Sequence, residues 1–97
     1  MIELLVTYDV STETKEGRRR LRKVATICLG HGQRVQQSVF ECRVTEAQFE
    51  GLVARLVTTI DFDEDSIRVY RLPPDRDRSV QIFGTRPAHD LRERLII

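Results

Sequence analysis

An α+β fold is predicted by this sequence: a strand, a helix, two strands, a second helix and a fourth strand, with a further short strand near the end. Three observations predict it. The chain begins with a strand-like apolar run over residues 2–9 that stops on an aspartate. Two later segments, about 16–29 and 46–60, repeat apolar residues at helical spacing. Between and after them, residues 34–44 and 67–72 are rich in residues that favour strands. Two helices packed on one face of an antiparallel sheet in this order give a ferredoxin-like βαββαβ sandwich. That architecture hosts many functions and by itself names none.

Composition narrows the class. At 97 residues one domain is expected, able to bury only a modest core and helped by dimerisation. A hydrophobic fraction of 40% against 32% charged residues fits a soluble globular chain rather than a disordered one. A net charge of +1 excludes a general polyanion binder, so the placement of charge matters more than its sum. No apolar run approaches the ~20 residues that span a bilayer, and no basic segment followed by an apolar one marks a secretory leader. Cys28 and Cys42 are isolated and form no Cys-x-x-Cys pair. They read as small buried hydrophobes in a reducing cytoplasm.

The first strand carries Leu4, Leu5, Val6, Thr7 and Tyr8 and ends at Asp9, before Ser11, Thr12 and Thr14 break the pattern. A carboxylate there is held by a rigid element yet open to solvent, which suits a metal-binding or catalytic acid. Taken alone, the commoner role is that of a turn former. In the first helix, Leu21, Val24, Ala25 and Cys28 share one face, and Gly30 stands where helices end. Its other face bears Arg18, Arg19, Arg20, Arg22 and Lys23, with only Glu16 nearby to offset them. Solvated basic faces are common, but a one-signed cluster within reach of the Asp9 loop points to phosphate contact.

His31, between Gly30 and Gly32, reads as a turn residue. The stretch 33–44 is too long for one strand and divides near Gln37-Ser38. Arg34 at its start and Ser38 at its middle are candidate phosphate contacts, against the simpler reading of an exposed strand face. Thr45 and Gln48 have capping-box spacing. The helix they open lines up Phe49, Leu52, Val53, Leu56, Val57 and Ile60 as a structural face. Residues 61–65, Asp-Phe-Asp-Glu-Asp, match no calcium-loop pattern and read as a solvated acidic loop. Ile67, Val69 and Leu72 then alternate with Arg68 and Arg71 in a half-buried strand, which Pro73-Pro74 ends. A charged linker follows over 75–78. Residues 79–84, centred on Val80-Gln81-Ile82-Phe83-Gly84, form a tethered strand that can complete a neighbour's sheet as readily as its own. The domain thus covers 1–84. The apolar tail over 85–97 reads equally as an edge strand, a short helix or a frayed end.

Three motifs occur in series: Val6-Thr7-Tyr8-Asp9-Val10, the basic helix over Arg19-Arg20-Leu21-Arg22-Lys23-Val24, and Arg34-Val35-Gln36-Gln37-Ser38-Val39-Phe40-Glu41-Cys42. Their order and spacing over roughly residues 2–84 resemble the small CRISPR-associated Cas2 proteins. The resemblance implies a ferredoxin-like homodimer whose late strand crosses onto the partner's sheet. It implies a role in CRISPR adaptation, with the dimer bridging two Cas1 integrase dimers and supporting the DNA being inserted. Members are also described as metal-dependent nucleases on RNA or double-stranded DNA. Carried onto this chain, the resemblance makes Asp9 the metal-binding and catalytic acid, with Tyr8 beside it. It matches Arg20 and Arg22 to the helix arginines and Ser38 and Phe40 to the second motif, and it implies Tyr8, Ser38 and Phe40 as nucleic-acid contacts beside the arginines. Where the family often has an aromatic residue, Gln37 stands here, a departure that removes no metal ligand.

One aspartate per chain is too few for a magnesium cage. Two Asp9 carboxylates across a dimer axis, with waters and a phosphate oxygen, would hold Mg²⁺ or another divalent cation. Arg20, Arg22 and Arg34 would position flanking phosphates, with Arg18 and Arg19 adding to the nucleic-acid surface. No general base is evident, so hydrolysis should be slow. The favoured reading is a nucleic-acid-binding adaptor with nuclease activity as an attribute. The alternatives are a purely structural DNA-binding adaptor and a ferredoxin-like regulatory dimer that binds a small molecule.

Overall fold

A computed structural model of the chain describes residues 1–74 and 76–85. The elements are β1 (Ile2–Asp9), α1 (Lys15–Leu29), β2 (Gly32–Gln36), β3 (Val39–Val44), α2 (Glu46–Thr59), β4 (Ser66–Arg71) and α3 (Arg76–Ser79). The four strands form one antiparallel sheet in the order β2-β3-β1-β4. This is the ferredoxin-like arrangement. The long strand-like stretch divides at Gln37-Ser38, as its length requires.

β1 is a central strand and its pleat organises the molecule. Leu4 and Val6 are fully buried and Tyr8 nearly so. Glu3, Leu5, Thr7 and Asp9 alternate with them and point to the opposite face. Across β1, Phe40, Cys42 and Val44 of β3 continue the buried face, and α1 closes it with Val24, Ile27 and Cys28. From α2, Leu52 and Leu56 complete the core, each side chain worth about 1.5–3 kcal/mol on full burial. Val57, placed on that face by spacing, is 43% exposed because it sits at the margin of the apolar stripe.

Local chemistry sets the helix starts. The Thr14 hydroxyl accepts from the Gly17 N–H to cap α1, and Thr45 and Gln48 form the reciprocal capping box of α2. Gly17 is required by a close approach, since a Cβ there would meet the Ser11 carbonyl oxygen. The chain leaving β1 therefore lies directly on the first turn of α1. Cys28 and Cys42 are free and buried. Burial pushes their thiols up to about 12 and about 11, so both stay neutral and behave as the small hydrophobes expected.

The end of the chain differs from the expectation. Residues 76–79 form a short helical turn instead of a linker running into a strand at 79. Residues 80–84 join no ladder within the single chain. A strand needs a neighbour to exchange hydrogen bonds, and the expectation placed that neighbour on a second copy. Apart from Thr85, the 85–97 tail lies outside the described residues. Among the described residues no helix is long and apolar enough to cross a membrane.

Replacing Phe40 with alanine should cost about 3–5 kcal/mol in urea unfolding, because a fully buried ring on β3 is removed from the core. A loss below about 1 kcal/mol would show that Phe40 is not the core residue its burial makes it.

Candidate functional site

Asp9 ends β1 with its side chain exposed, while its backbone is still held in register opposite Ser66 of β4. On the other flank, the Tyr8 N–H donates to the Ser38 carbonyl at 3.1 Å, which ties the β2–β3 turn to the same strand end. These ladders gather Asp9, Ser38, Ser66 and Arg68 around a concavity of about 260 Å³. Arg68 donates to the Tyr70 hydroxyl at 3.1 Å and pairs in register with Thr7. A carboxylate, two hydroxyls and a guanidinium are thus fixed by two strands and the β2–β3 turn at one sheet end. Sequence reasoning missed Ser66 and Arg68. The signal was the alternation of β4, whose first residues must lie beside the last residues of an antiparallel β1.

Tyr8 and Phe40 occupy different ground from that expected of nucleic-acid contacts. Phe40 has no exposure and Tyr8 has 6%, so neither ring offers a stacking surface in this chain. The rings are stacked with centroids 6.1 Å apart and planes 24° from parallel. The Arg34 guanidinium lies 5.2 Å from the Phe40 centroid. Burial raises the Tyr8 hydroxyl above its ordinary value, against the pull of its hydrogen bond with Arg34, and it stays protonated. Tyr8, Arg34 and Phe40 form a packed wedge behind Asp9, with Arg34 half-buried at its edge.

The basic cluster of α1 also divides. Successive helix residues turn by about 100°, so Arg18, Arg19 and Arg20 cannot share a direction. Arg18 donates to the Thr12 carbonyl at 3.1 Å, beside the loop that leaves Asp9. Arg19 and Arg22 are exposed on the side facing α2. Arg20 turns inward: its Nε donates to Asp65 Oδ2 at 2.7 Å, and its Nη2 reaches Asp65 Oδ1 and Glu64 Oε2, both at 3.4 Å. Arg20, expected to contact phosphate, is held here against Asp65 and Glu64 with part of its guanidinium still exposed.

Asp65 likewise departs from the predicted solvated acidic loop. Its side chain is fully enclosed, and it also accepts from the Ser11 N–H at 3.0 Å and the Asp61 N–H at 2.9 Å. One carboxylate therefore joins the loop after Asp9, the first turns of α1 and the turn before β4. Burial by itself would raise the Asp65 carboxyl. The hydrogen bond from Arg20, with those from the Asp61 and Ser11 amides, outweighs burial and holds it below its ordinary value.

Among the described residues, no group of three or more His, Cys, Asp or Glu side chains could hold a metal ion. Among the described residues, Asp9 is the only carboxylate lining the concavity. One carboxylate and two hydroxyls suit a hard cation that keeps several waters and draws its other oxygens from a phosphate or a second chain.

The family model described as "CRISPR associated protein Cas2" matches residues 1–80. A CRISPR-associated endoribonuclease Cas2 of Moorella thermoacetica is 51% identical over 94 residues, covering 97% of this chain and 98% of that protein. A CRISPR-associated endonuclease Cas2 of Halalkalibacterium halodurans is 46% identical over 93 residues, covering 96% and 97%. The crystal structure of Streptococcus pyogenes Cas2 superposes with a TM-score of 0.77 at 54% identity, covering 84% of this chain and 99% of that one.

The Asp65 clamp has a pH signature. A carboxyl whose folded value is depressed stabilises the fold above its free value of about 3.9 and loses that contribution as pH falls through the folded value. Asp65→Asn should cost about 2 kcal/mol in urea unfolding at neutral pH, less than a fully buried pair because Arg20 keeps some exposure. The gap to wild type should close well below the free carboxylate value. An equal gap at both pH values would contradict the clamp.

Proposed function

Because this chain belongs to the CRISPR-associated Cas2 family, we propose that it serves CRISPR adaptation as a homodimeric, nucleic-acid-binding adaptor for the Cas1 integrase, with a divalent-cation-dependent endonuclease activity centred on Asp9. The observation that carries this reading is the exposed Asp9 carboxylate at the end of a central strand, sharing a concavity with Ser38, Ser66 and Arg68. The names of the Moorella and Halalkalibacterium relatives support a phosphodiester bond as the target. The two free, buried cysteines accord with a cytoplasmic site of action.

In this reading two copies bring their Asp9 carboxylates towards a two-fold axis, and those two side chains would hold a divalent cation such as Mg²⁺. When bound, the ion neutralises charge developing on the phosphate and lowers the pKa of a coordinated water. Arg68 offers charge-assisted hydrogen bonds to a phosphate oxygen, and the Ser38 and Ser66 hydroxyls orient it. The Asp65 clamp keeps the loop after Asp9 from swinging across the concavity. Among the described residues, no imidazole or second carboxylate lines that space, so cleavage is slow and depends on the cation. Binding is carried by Arg18, Arg19 and Arg22, which remain exposed on α1.

Cleavage of labelled single-stranded RNA and double-stranded DNA, with and without magnesium, tests the chemistry. Wild type should cut one of them only with magnesium, and Asp9→Ala should lose about 10³-fold or more, as expected for several kcal/mol of lost charge stabilisation. Equal activity in both proteins would remove Asp9 from the chemistry. Spacer acquisition in cells should survive Asp9→Ala and fail when Arg18, Arg19 and Arg22 are neutralised together. Survival of acquisition in the triple variant would contradict the adaptor role.

A further inference from the structure

We propose that the groove between α1 and α2 is a second anion site, separate from the Asp9 concavity, that grips the phosphate backbone of a nucleic acid, with Arg55 and Lys23 as its distinguishing residues. The groove encloses about 430 Å³. Arg19, Arg22 and Lys23 reach it from α1 and Arg55 from α2, and among the described residues no carboxylate lines it. It shares no lining residue with the Asp9 concavity. The proposal rests on the nucleic-acid-binding reading above and adds a place on the molecule.

Charge is the first argument. Among the described residues, none of these four side chains forms an ion pair or hydrogen bond. Arg19 stands three residues from Arg22 and four from Lys23, spacings at which like charges on a helix repel. Arg55 is brought against them by the packing of α2 on α1. Repulsion of this kind, with no internal counter-charge, is relieved by an anion. Arg20, on another side of the same helix, shows what an internal counter-charge looks like when the fold supplies one.

The chemistry of the lining decides what anion fits. Thr26, Thr58 and Thr59 face the groove, but their hydroxyl protons go to helix carbonyls: Thr26 to Arg22 at 2.9 Å, Thr58 to Ala54 at 2.9 Å and Thr59 to Arg55 at 2.7 Å. The available donors are therefore the guanidinium and ammonium groups. Recognition by those alone is a matter of charge, which suits a backbone rather than base edges. A protein partner would want an aromatic or aliphatic anchor at the centre, and the one large apolar side chain here, Ile27, is 6% exposed. Along α1, Arg19 to Lys23 spans about 6 Å of helix axis, room for about two phosphates of one strand.

The test is the salt dependence of binding to labelled duplex DNA and to single-stranded RNA, for wild type and for Lys23→Gln/Arg55→Gln. Loss of two phosphate contacts should lower the slope of log affinity against log salt by about 1.8 for duplex DNA or about 1.4 for a single strand, without sequence preference. The Lys23→Arg/Arg55→Lys variant should restore the slope. Both substitutions lie on exposed helix positions, and unchanged urea unfolding checks the fold. Wild-type slopes in the Gln variant with both probes would overturn the groove site alone, since binding elsewhere would remain. Unchanged nucleic-acid slopes with lost binding of poly-glutamate would also overturn it and give the groove to an acidic protein. Absence of salt-dependent binding by wild type would overturn both this site and the function it rests on.

Discussion

The enclosed Asp65 carboxylate is the interaction on which the working end of this molecule depends. It has no exposure, so its charge must be met from within, and three donors from three segments meet it: Arg20 of α1, the Ser11 amide after β1 and the Asp61 amide before β4. Two of the donors, Ser11 and Asp61, lie in loops that the carboxylate thereby ties to the helix carrying Arg20. Gly17 lets the Ser11 carbonyl settle on α1, and the carboxylate then fixes the same residue by its N–H. Asp9 sits two residues before that anchor. Its exposure is thus compatible with a defined position, which is what the role proposed for it requires.

The same constraint divides labour along α1. A helix that presents five cations from one segment has nowhere to put all of them on one surface. One is spent internally on Asp65, one braces the loop at Thr12, and the others are left facing α2. The sheet makes a comparable division. Residues of β1 that face the helices build the core, and those that face away lead to Asp9. The wedge of Tyr8, Phe40 and Arg34 belongs to the first set, supporting the acid from behind.

Much of this was legible in the sequence, and the limits have physical causes. Helical spacing and the Thr45–Gln48 cap mark both long helices because those signals are local. Asp9 stands out because a carboxylate follows an apolar strand. Alternation shows that Tyr8 and Phe40 lie on faces of strands, but not which face the helices cover, so their burial stayed hidden. Asp65 looks like one more acid in a run of acids, and its partner Arg20 lies 45 positions away with no spacing rule linking them. Ser66 and Arg68 join Asp9 only through the pairing of β1 with β4, which is a property of the sheet. The strand expected at 79–84 is a question for two chains, since ladder bonds require a neighbour.

A single chain brings one carboxylate to its concavity, and the function proposed for it requires two. The most direct test is the stoichiometry of Mn²⁺ binding to the purified protein, read by electron paramagnetic resonance alongside its oligomeric state. One ion per two chains, lost in Asp9→Asn while the dimer persists, is the predicted result. One ion per chain, or uptake unaffected by Asp9→Asn, would contradict a shared site built on that residue.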